Sequence, residues 1–442
     1  MPEAFDYKTV SVIGLGYIGL PTAAAFAKRG MPVIGVDVNR KAVDTINGGR
    51  IHIVEPGLGE VVQSAVHDGL LRAVLEPVPA DAFLIAVPTP FKGENHEPDL
   101  AFIEAAASAV APVLTAGNLV VLESTSPVGT TERLAEWLAQ ARPDLSFPQQ
   151  LGERSDIRIA YCPERVLPGR MVEELVSNDR VIGGLTERCG LAAKALYEIF
   201  VEGECVLSDA RTAELCKLAE NAFRDVNIAF ANELSLICDG QGIDVWQLIR
   251  LANRHPRVSI LQPSAGVGGH CIAVDPWFIV AGAPDTARLV RTAREVNDHK
   301  PDWVISKVQD AVAEFANRHG NAKPAIAALG LAFKPNIDDM RESPALHIAE
   351  ELYRLHGDRL MLVEPHAEEL SPLLSGCRMA TLEDALNEAD ILVLLVKHDA
   401  FLVTVEENIR PQQMIIDAVG LMESNGPAFY ATPDHKSTKA AE

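Results

Sequence analysis

Thr9-Val10-Ser11-Val12-Ile13-Gly14-Leu15-Gly16-Tyr17-Ile18-Gly19 decides the fold. A short, mostly β-branched run reads as a buried strand, and G-x-G-x-x-G follows it at once. A helical stretch from Ile18 to Lys28 comes next and ends at Gly30. Val33-Ile34-Gly35-Val36 then reads as a second strand, closing on Asp37, 18 residues past Gly19. Gly14, Gly16 and Gly19 permit the tight turn and a close approach of a pyrophosphate, and the helix N-terminus adds partial positive charge. Tyr17 and Ile18 lie in the same turn, and Asp37 is placed to accept hydrogen bonds from an adenosine ribose. An acid at this position repels a 2′-phosphate, so the cofactor expected is NAD rather than NADP, although Arg40 and Lys41 beside it pull the other way.

The rhythm continues through Phe83–Val87, Leu119–Leu122 and Ile157–Ala160, each a buried-strand signal. Each runs into a turn: Pro88-Thr89-Pro90, Ser124–Thr131, and Cys162-Pro163-Glu164-Arg165. Ligands of doubly wound sheets bind beyond the carboxyl ends of the strands, so these turns are where contacts are expected. Thr130 or Thr131 reads as the N-cap of the next helix.

At 442 residues the chain is too long for one core and implies two or three domains. Hydrophobic residues make up 48% and charged residues 23%, an ordinary globular balance. A net charge of −22 argues against nucleic acid as a partner, so local basic clusters become informative. The seven cysteines form no C-x-x-C, and no metal site is expected. An odd count without a signal peptide points to the cytoplasm, and no apolar run approaches a membrane span.

Ser208 reads as the N-cap of a helix running to Gly240, with apolar residues at close to the helical period. Lys217, Asn221 and Arg224 interrupt that pattern at i, i+4 and i+7, on one stripe. The helix is otherwise apolar almost all round, the mark of a segment buried in a core or an oligomer interface. A further helix, Val245 to Ala252, precedes Asn253-Arg254-His255-Pro256-Arg257, a basic cluster suited to an anion such as a pyrophosphate. Gly266-Val267-Gly268-Gly269-His270-Cys271-Ile272-Ala273-Val274-Asp275-Pro276-Trp277 follows. Its glycines let backbone pass close to a ligand, and Cys271 sits beside bare N–H groups able to cradle an oxyanion. Taken alone, such a cysteine is more often a buried, inert one.

Residues 286–316 read as helix interrupted near Pro301. Buried strands then recur at Ala325–Leu329, Leu360–Val363, Ile391–Val396 and Met414–Ile416, a second Rossmann-like domain without G-x-G-x-x-G. Phe333, Lys334 and Arg341 lie at the carboxyl end of its first strand, and from Gly426 the chain reads as a mobile tail. The expected architecture is α/β: two Rossmann-like doubly wound domains joined by a central helical dimerisation domain. Its expected parts are residues 1–207, 208–316, 317–425 and a tail over 426–442.

In order, Gly14–Gly19, Val87-Pro88-Thr89-Pro90, Ser124–Gly129, Glu214–Asn221, Gly266–Asp275 and Gly330–Ser343 resemble the motifs of the UDP-glucose/GDP-mannose dehydrogenase superfamily along almost the whole chain. Tyr161–Gly169 and Gly269–Trp277 look like the branch that oxidises UDP-N-acetyl-D-mannosamine for bacterial surface polysaccharides. The UDP-glucose branch carries a lysine where this chain has Val274 and a second glutamate where it has Pro168, so neither role is carried over.

The resemblance implies oxidation of the sugar C6 alcohol to a carboxylate with two NAD⁺ reduced. An aldehyde has no readily transferred hydride until a nucleophile adds, which is the role implied for Cys271. Lys217 would exchange a proton or stabilise an alkoxide, and its charge would favour a thiolate. Asn221 would donate to an oxyanion, and Asp275, Glu164 and Thr125 would activate or position water. Gly14, Gly16, Tyr17, Ile18, Gly19, Asp37, Thr89 and Thr131 are the positions implied for NAD. Arg165, Val166, Lys217, Asn221, Arg224, His255, Arg257, Gly268, Phe333, Lys334 and Arg341 match positions expected to hold a UDP-N-acetylhexosamine. The resemblance also implies a homodimer in which the loop of His255 and Arg257 reaches the neighbouring subunit. Three alternatives stay open: oxidation of the N-acetylglucosamine epimer, a one-step β-hydroxyacid dehydrogenase, and a non-catalytic NAD sensor with Cys271 as redox switch.

Overall fold

The computed structural model describes residues 5–93, 96–166, 169–269, 271–366 and 371–422. The expectations placed on Pro168, His270 and the tail from Gly426 fall outside these residues. The chain divides into two compact units, one of Met1–Glu220 with Trp277–Pro284, the other of Asn221–Pro276 with Asp285–Glu442.

The first unit is built on an eight-stranded sheet: β1 (Val10–Ile13), β2 (Val33–Val36), β3 (Leu71–Val74), β4 (Ala82–Ile85), β5 (Leu119–Leu122), β6 (Arg158–Tyr161), β7 (Arg180–Gly184) and β8 (Cys205–Asp209). Its order is β8-β7-β6-β5-β4-β1-β2-β3, in which the doubly wound core 3-2-1-4-5-6 is extended by two strands. All pairings are parallel except β6 with β7. Both faces are covered by apolar clusters, one around Val10, Leu84 and Phe26, the other around Phe83, Ile85 and Leu134. This burial explains why β1, β4 and β5 read as continuous apolar runs. The order reverses between β1 and β4, and the turns after those strands flank that point.

The second unit carries a five-stranded parallel sheet: β9 (Ile326–Leu329), β10 (Leu360–Val363), β11 (Arg378–Met379), β12 (Ile391–Leu394) and β13 (Met414–Asp417), in the order β11-β10-β9-β12-β13. This is again 3-2-1-4-5. The likeness extends to the turns. Gly14 after β1 and Gly330 after β9 both have φ 90°. Asp37 after β2 accepts from the Leu15 amide at 2.9 Å, as Glu364 after β10 accepts from the Leu331 amide at 2.7 Å.

Seven helices matter below: α1 (Gly19–Lys28), α2 (Thr130–Ala141), α3 (Ala210–Gln241), α4 (Val245–Ala252), α5 (Asp275–Gly282), α6 (Arg288–Arg318) and α7 (Pro344–His356). Three sequence expectations need correction. Ser208 does not cap the long helix: it lies in β8, and Asp209 accepts from the Thr212 amide at 2.9 Å. Neither Thr130 nor Thr131 caps α2. Gly129, at φ 95°, holds that position, and the Glu214 carboxylate receives the Gly129 and Thr131 amides at 2.6 and 2.8 Å. Finally, α6 continues through Pro301 without a break.

Within the first unit, Glu123 at the end of β5 is buried, with Tyr197 donating to it at 2.7 Å and the Arg180 guanidinium 3.7 Å away. Burial outweighs those partners and lifts its carboxyl from about 4.5 up to about 7. The folded protein therefore binds an extra proton between these values, and stability is lost as pH rises through that window. Glu123→Gln is expected to flatten this loss, raising stability at pH 8 by up to a few kcal/mol relative to wild type and little at pH 4. Thermal unfolding across pH measures it.

Candidate active site

The loop after β1 is shaped by its three glycines in different ways. A Cβ on Gly14 would lie 2.6 Å from the Ala86 carbonyl oxygen, and one on Gly19 only 1.8 Å from that of Gly14. These two positions exclude side chains because backbone already fills the space. A Cβ on Gly16 would meet nothing within 4 Å, so its place faces open room at the mouth of α1. The Asp37 carboxylate braces the loop from the far side through Leu15 and also receives the Asn39 amide at 2.8 Å. Thr89, in the turn after β4, has a buried Oγ1 with no hydrogen-bond partner among the described residues. An open glycine before a helix N-terminus, an acid past the second strand and an unsatisfied hydroxyl at the switch point fit a dinucleotide. Ser124 ties the adjoining turns together by donating to the Val87 carbonyl at 2.7 Å. The Thr131 hydroxyl is already engaged, donating to Glu214 at 2.6 Å.

Also in the first unit, Lys217 Nζ donates to Glu164 Oε1 at 3.2 Å, and both side chains are buried. Glu164 Oε2 receives the Val166 amide at 2.7 Å, so this carboxylate organises the turn after β6 as well as the lysine. Arg165 pairs with Glu220 at 2.9 Å and donates to the Asp179 carbonyl at 3.1 Å. Thr125 is half-buried in the turn after β5.

In the second unit, Asn221 Nδ2 donates to Asp275 Oδ2 at 2.5 Å. Cys271 opens the turn leading into α5, and its carbonyl receives the Val274 and Asp275 amides at 3.1 and 2.8 Å. Its thiol is exposed, whereas Cys162, Cys189, Cys205, Cys238 and Cys377 are buried. Burial pushes the Cys162 thiol up to about 12, which leaves it unreactive. The glycine loop lies against the start of the second sheet. A Cβ on Gly268 would meet the Glu342 carbonyl at 2.4 Å and Pro344 at 2.7 Å, and one on Gly269 the Phe333 ring at 3.0 Å. Asn336 and Glu342 hold φ near 61° and 50° on either side of Arg341, an uncommon backbone for glutamate. Arg341 donates to both oxygens of Asp339, and Lys334 is half-buried in the same loop. Arg224, His255 and Arg257 are exposed, the last two within one turn past α4, where the Arg257 amide donates to His255 Nδ1 at 3.3 Å.

Comparison with known proteins agrees with this arrangement. Residues 8–201, 211–299 and 327–424 match, in turn, the NAD binding domain, the central domain and the UDP binding domain of the UDP-glucose/GDP-mannose dehydrogenase family. The chain belongs to this family. It is an NAD-dependent oxidoreductase of the nucleotide-sugar dehydrogenase type. It is 63% identical to the UDP-N-acetyl-D-mannosamine dehydrogenase of Escherichia coli (strain K12), over 94% of this chain and 99% of that protein. The NDP-N-acetyl-D-galactosaminuronic acid dehydrogenase of Ralstonia nicotianae is 60% identical, over 94% and 96%. Among solved structures, the UDP-D-ManNAc dehydrogenase of Pyrococcus horikoshii superposes with a TM-score of 0.83 at 37% identity, covering 95% of this chain and 97% of that one. No described helix is long and apolar enough to cross a membrane.

Sequence reasoning missed Glu214 and Glu220 as partners of the site's turns. The signal was present, since both lie one helical turn or less from Lys217, but their partners are remote in sequence. The glycine geometry yields a paired test. Gly16→Ala is expected to leave thermal stability unchanged while raising the Kd for NAD by about tenfold or more, roughly 1.4 kcal/mol. Gly19→Ala, driven into a carbonyl, is expected to destabilise the fold itself. Calorimetric titration with NAD beside thermal unfolding separates the two.

Proposed function

We propose that this enzyme oxidises UDP-N-acetyl-D-mannosamine at C6 to the uronate, in the cytoplasm, for surface polysaccharide synthesis. The observation that carries this reading is the 63% identity to the Escherichia coli mannosamine enzyme across 99% of its length. When bound, NAD supplies the hydride acceptor for both oxidations. Lys217, held by Glu164, takes the C6 hydroxyl proton or stabilises the alkoxide, and Asn221 donates to the developing oxyanion. Cys271 Sγ then forms a bond to the aldehyde carbon while the thiol proton passes to the carbonyl oxygen, giving a thiohemiacetal. Its hydride would pass to a second NAD⁺ and its hydroxyl proton to solvent, leaving a thioester. Water, positioned by Asp275, adds to that carbon, the C–S bond breaks, and carboxylate, thiol and a proton result.

Two features support these roles. Cys271 is the one exposed cysteine among those described. Asp275 is buried yet hydrogen-bonded to Asn221, so its carboxylate is held in one orientation. NADH formation across UDP-N-acetylmannosamine, its glucosamine epimer and its galactosamine isomer tests the substrate. Turnover with the mannosamine compound at least tenfold above the others is expected, and preference for the galactosamine compound would place the chain with its Ralstonia relative. Cys271→Ala is expected to retain NAD and substrate binding and to make no uronate.

We further propose a homodimer. Leu215, Phe223, Phe230 and Ile237 on α3 are 47, 73, 50 and 47% exposed and fall on one side of the helix. So long an apolar stripe on one chain supports a second copy as its cover. Phe223→Asp is expected to yield monomer in light scattering; an unchanged dimer would refute this face.

A further inference from the structure

The side of α3 opposite that stripe carries polar groups that are buried or half-buried. Asn221, Asp225, Asn232, Ser235 and Asp239 fall within an arc of about 80° at 3.6 residues per turn. Helix α6 answers them. Arg294 Nη1 donates to Asp225 Oδ1 at 2.7 Å, with both side chains 2% exposed or less. Asn297 donates to the same carboxylate oxygen at 2.8 Å and accepts from Asn232 at 2.9 Å. Lys300 donates to Ser235 at 2.6 Å, and Lys307 pairs with Asp239 at 2.5 Å. Sliding one helix a turn along the other would strand several of these groups, buried charges among them, without partners. The two helices therefore have one register.

The seam also reaches the cysteine segment on both sides. Before it, Asn232 Oδ1 receives the Ser264 amide at 2.8 Å, and Ser264 Oγ donates to the Gly266 carbonyl at 2.7 Å. After it, Arg294 Nη1 also approaches the Ile272 carbonyl at 3.4 Å. A stretch with glycine at 266, 268 and 269 has high conformational freedom of its own, while covalent attack needs the sulfur placed to within a fraction of an ångström.

We propose that Asn232 and Arg294 are positioning residues for Cys271: the seam fixes the register of α3 and α6 and, through these two side chains, pins the glycine–cysteine segment on either side of the thiol. This inference rests on the reading of Cys271 as nucleophile. Neither residue touches substrate. Both act on the second oxidation, the one that needs the thiol, and leave the first intact.

The test uses full-length enzyme with NAD, UDP-N-acetylmannosamine and hydroxylamine to trap any free aldehyde, with NADH counted per sugar nucleotide consumed. Wild type gives two and Cys271→Ala gives one. Asn232→Ala and Arg294→Lys are expected to fall toward one, with kcat for uronate down about a hundredfold and both KM values within about twofold of wild type. Arg294→Lys retains a cation for Asp225, so it serves should Asn232→Ala not fold, and thermal unfolding reports the folded fraction of each. A ratio that stays at two, with kcat lowered only in proportion to folded protein, makes the seam merely structural and overturns the inference. If Cys271→Ala itself gives two, the nucleophile assignment falls first and the inference with it.

Discussion

Burying charge constrains this chain more than any apolar contact does. Asp225 and Arg294 lie in the second unit with almost no exposure, and desolvation raises the aspartate's pKa despite the guanidinium beside it. Such a pair contributes little net stability against an apolar alternative, but it is intolerant of misalignment. The arrangement turns α3 inside out: the polar side is enclosed and the apolar side faces outward. A helix so organised makes sense where its inner face must be specific and its outer face meets another apolar surface.

The first unit reaches its precision by a different route. There the carboxyl edge of the sheet is held by side chains that answer backbone. Ser124 bonds the turn after β4, Glu214 the start of α2, and Glu164 both Lys217 and the turn after β6. Each uses one polar atom to set a loop that regular hydrogen bonding cannot reach. The turns at the carboxyl edge are thus braced by side chains as the strands are by their ladders, which is what a pre-organised cofactor site requires.

What was legible from sequence follows the same division. Strand β1, its glycine turn and β2 announced themselves because a fully buried parallel strand is a continuous apolar run, and β5 and β10 coincide with their expected bounds. Strands β7 and β8 were silent. Gly183 and Gly184 in β7 are there because a Cβ would strike Ala210 and Thr186, which removes the usual strand composition. Strand β8 is an edge strand whose apolar run is only three residues, Cys205-Val206-Leu207, before Ser208 and Asp209 lead straight into α3. Lys217, Asn221 and Cys271 stood out as polar or reactive groups in unusual company. Asp225 and Arg294 did not, since a charge on a helix reads as solvated until its partner, here 69 residues away, is seen beside it.

The two sheets place an acid on the loop after their first strand in the same way, yet the two acids differ in what they have left to offer. A carboxylate accepts about four hydrogen bonds. Among the described residues Glu364 receives the amides of Leu331, Ala332 and His366, and the His398 ring stands 3.3 Å from it. Among the same described residues Asp37 receives only the amides of Leu15 and Asn39. Two acceptor sites therefore remain on Asp37, the number a ribose diol can fill, and at most one on Glu364, which the His398 ring crowds. One scaffold built twice thus carries two acids with unequal room for a ligand: the second is largely occupied from within.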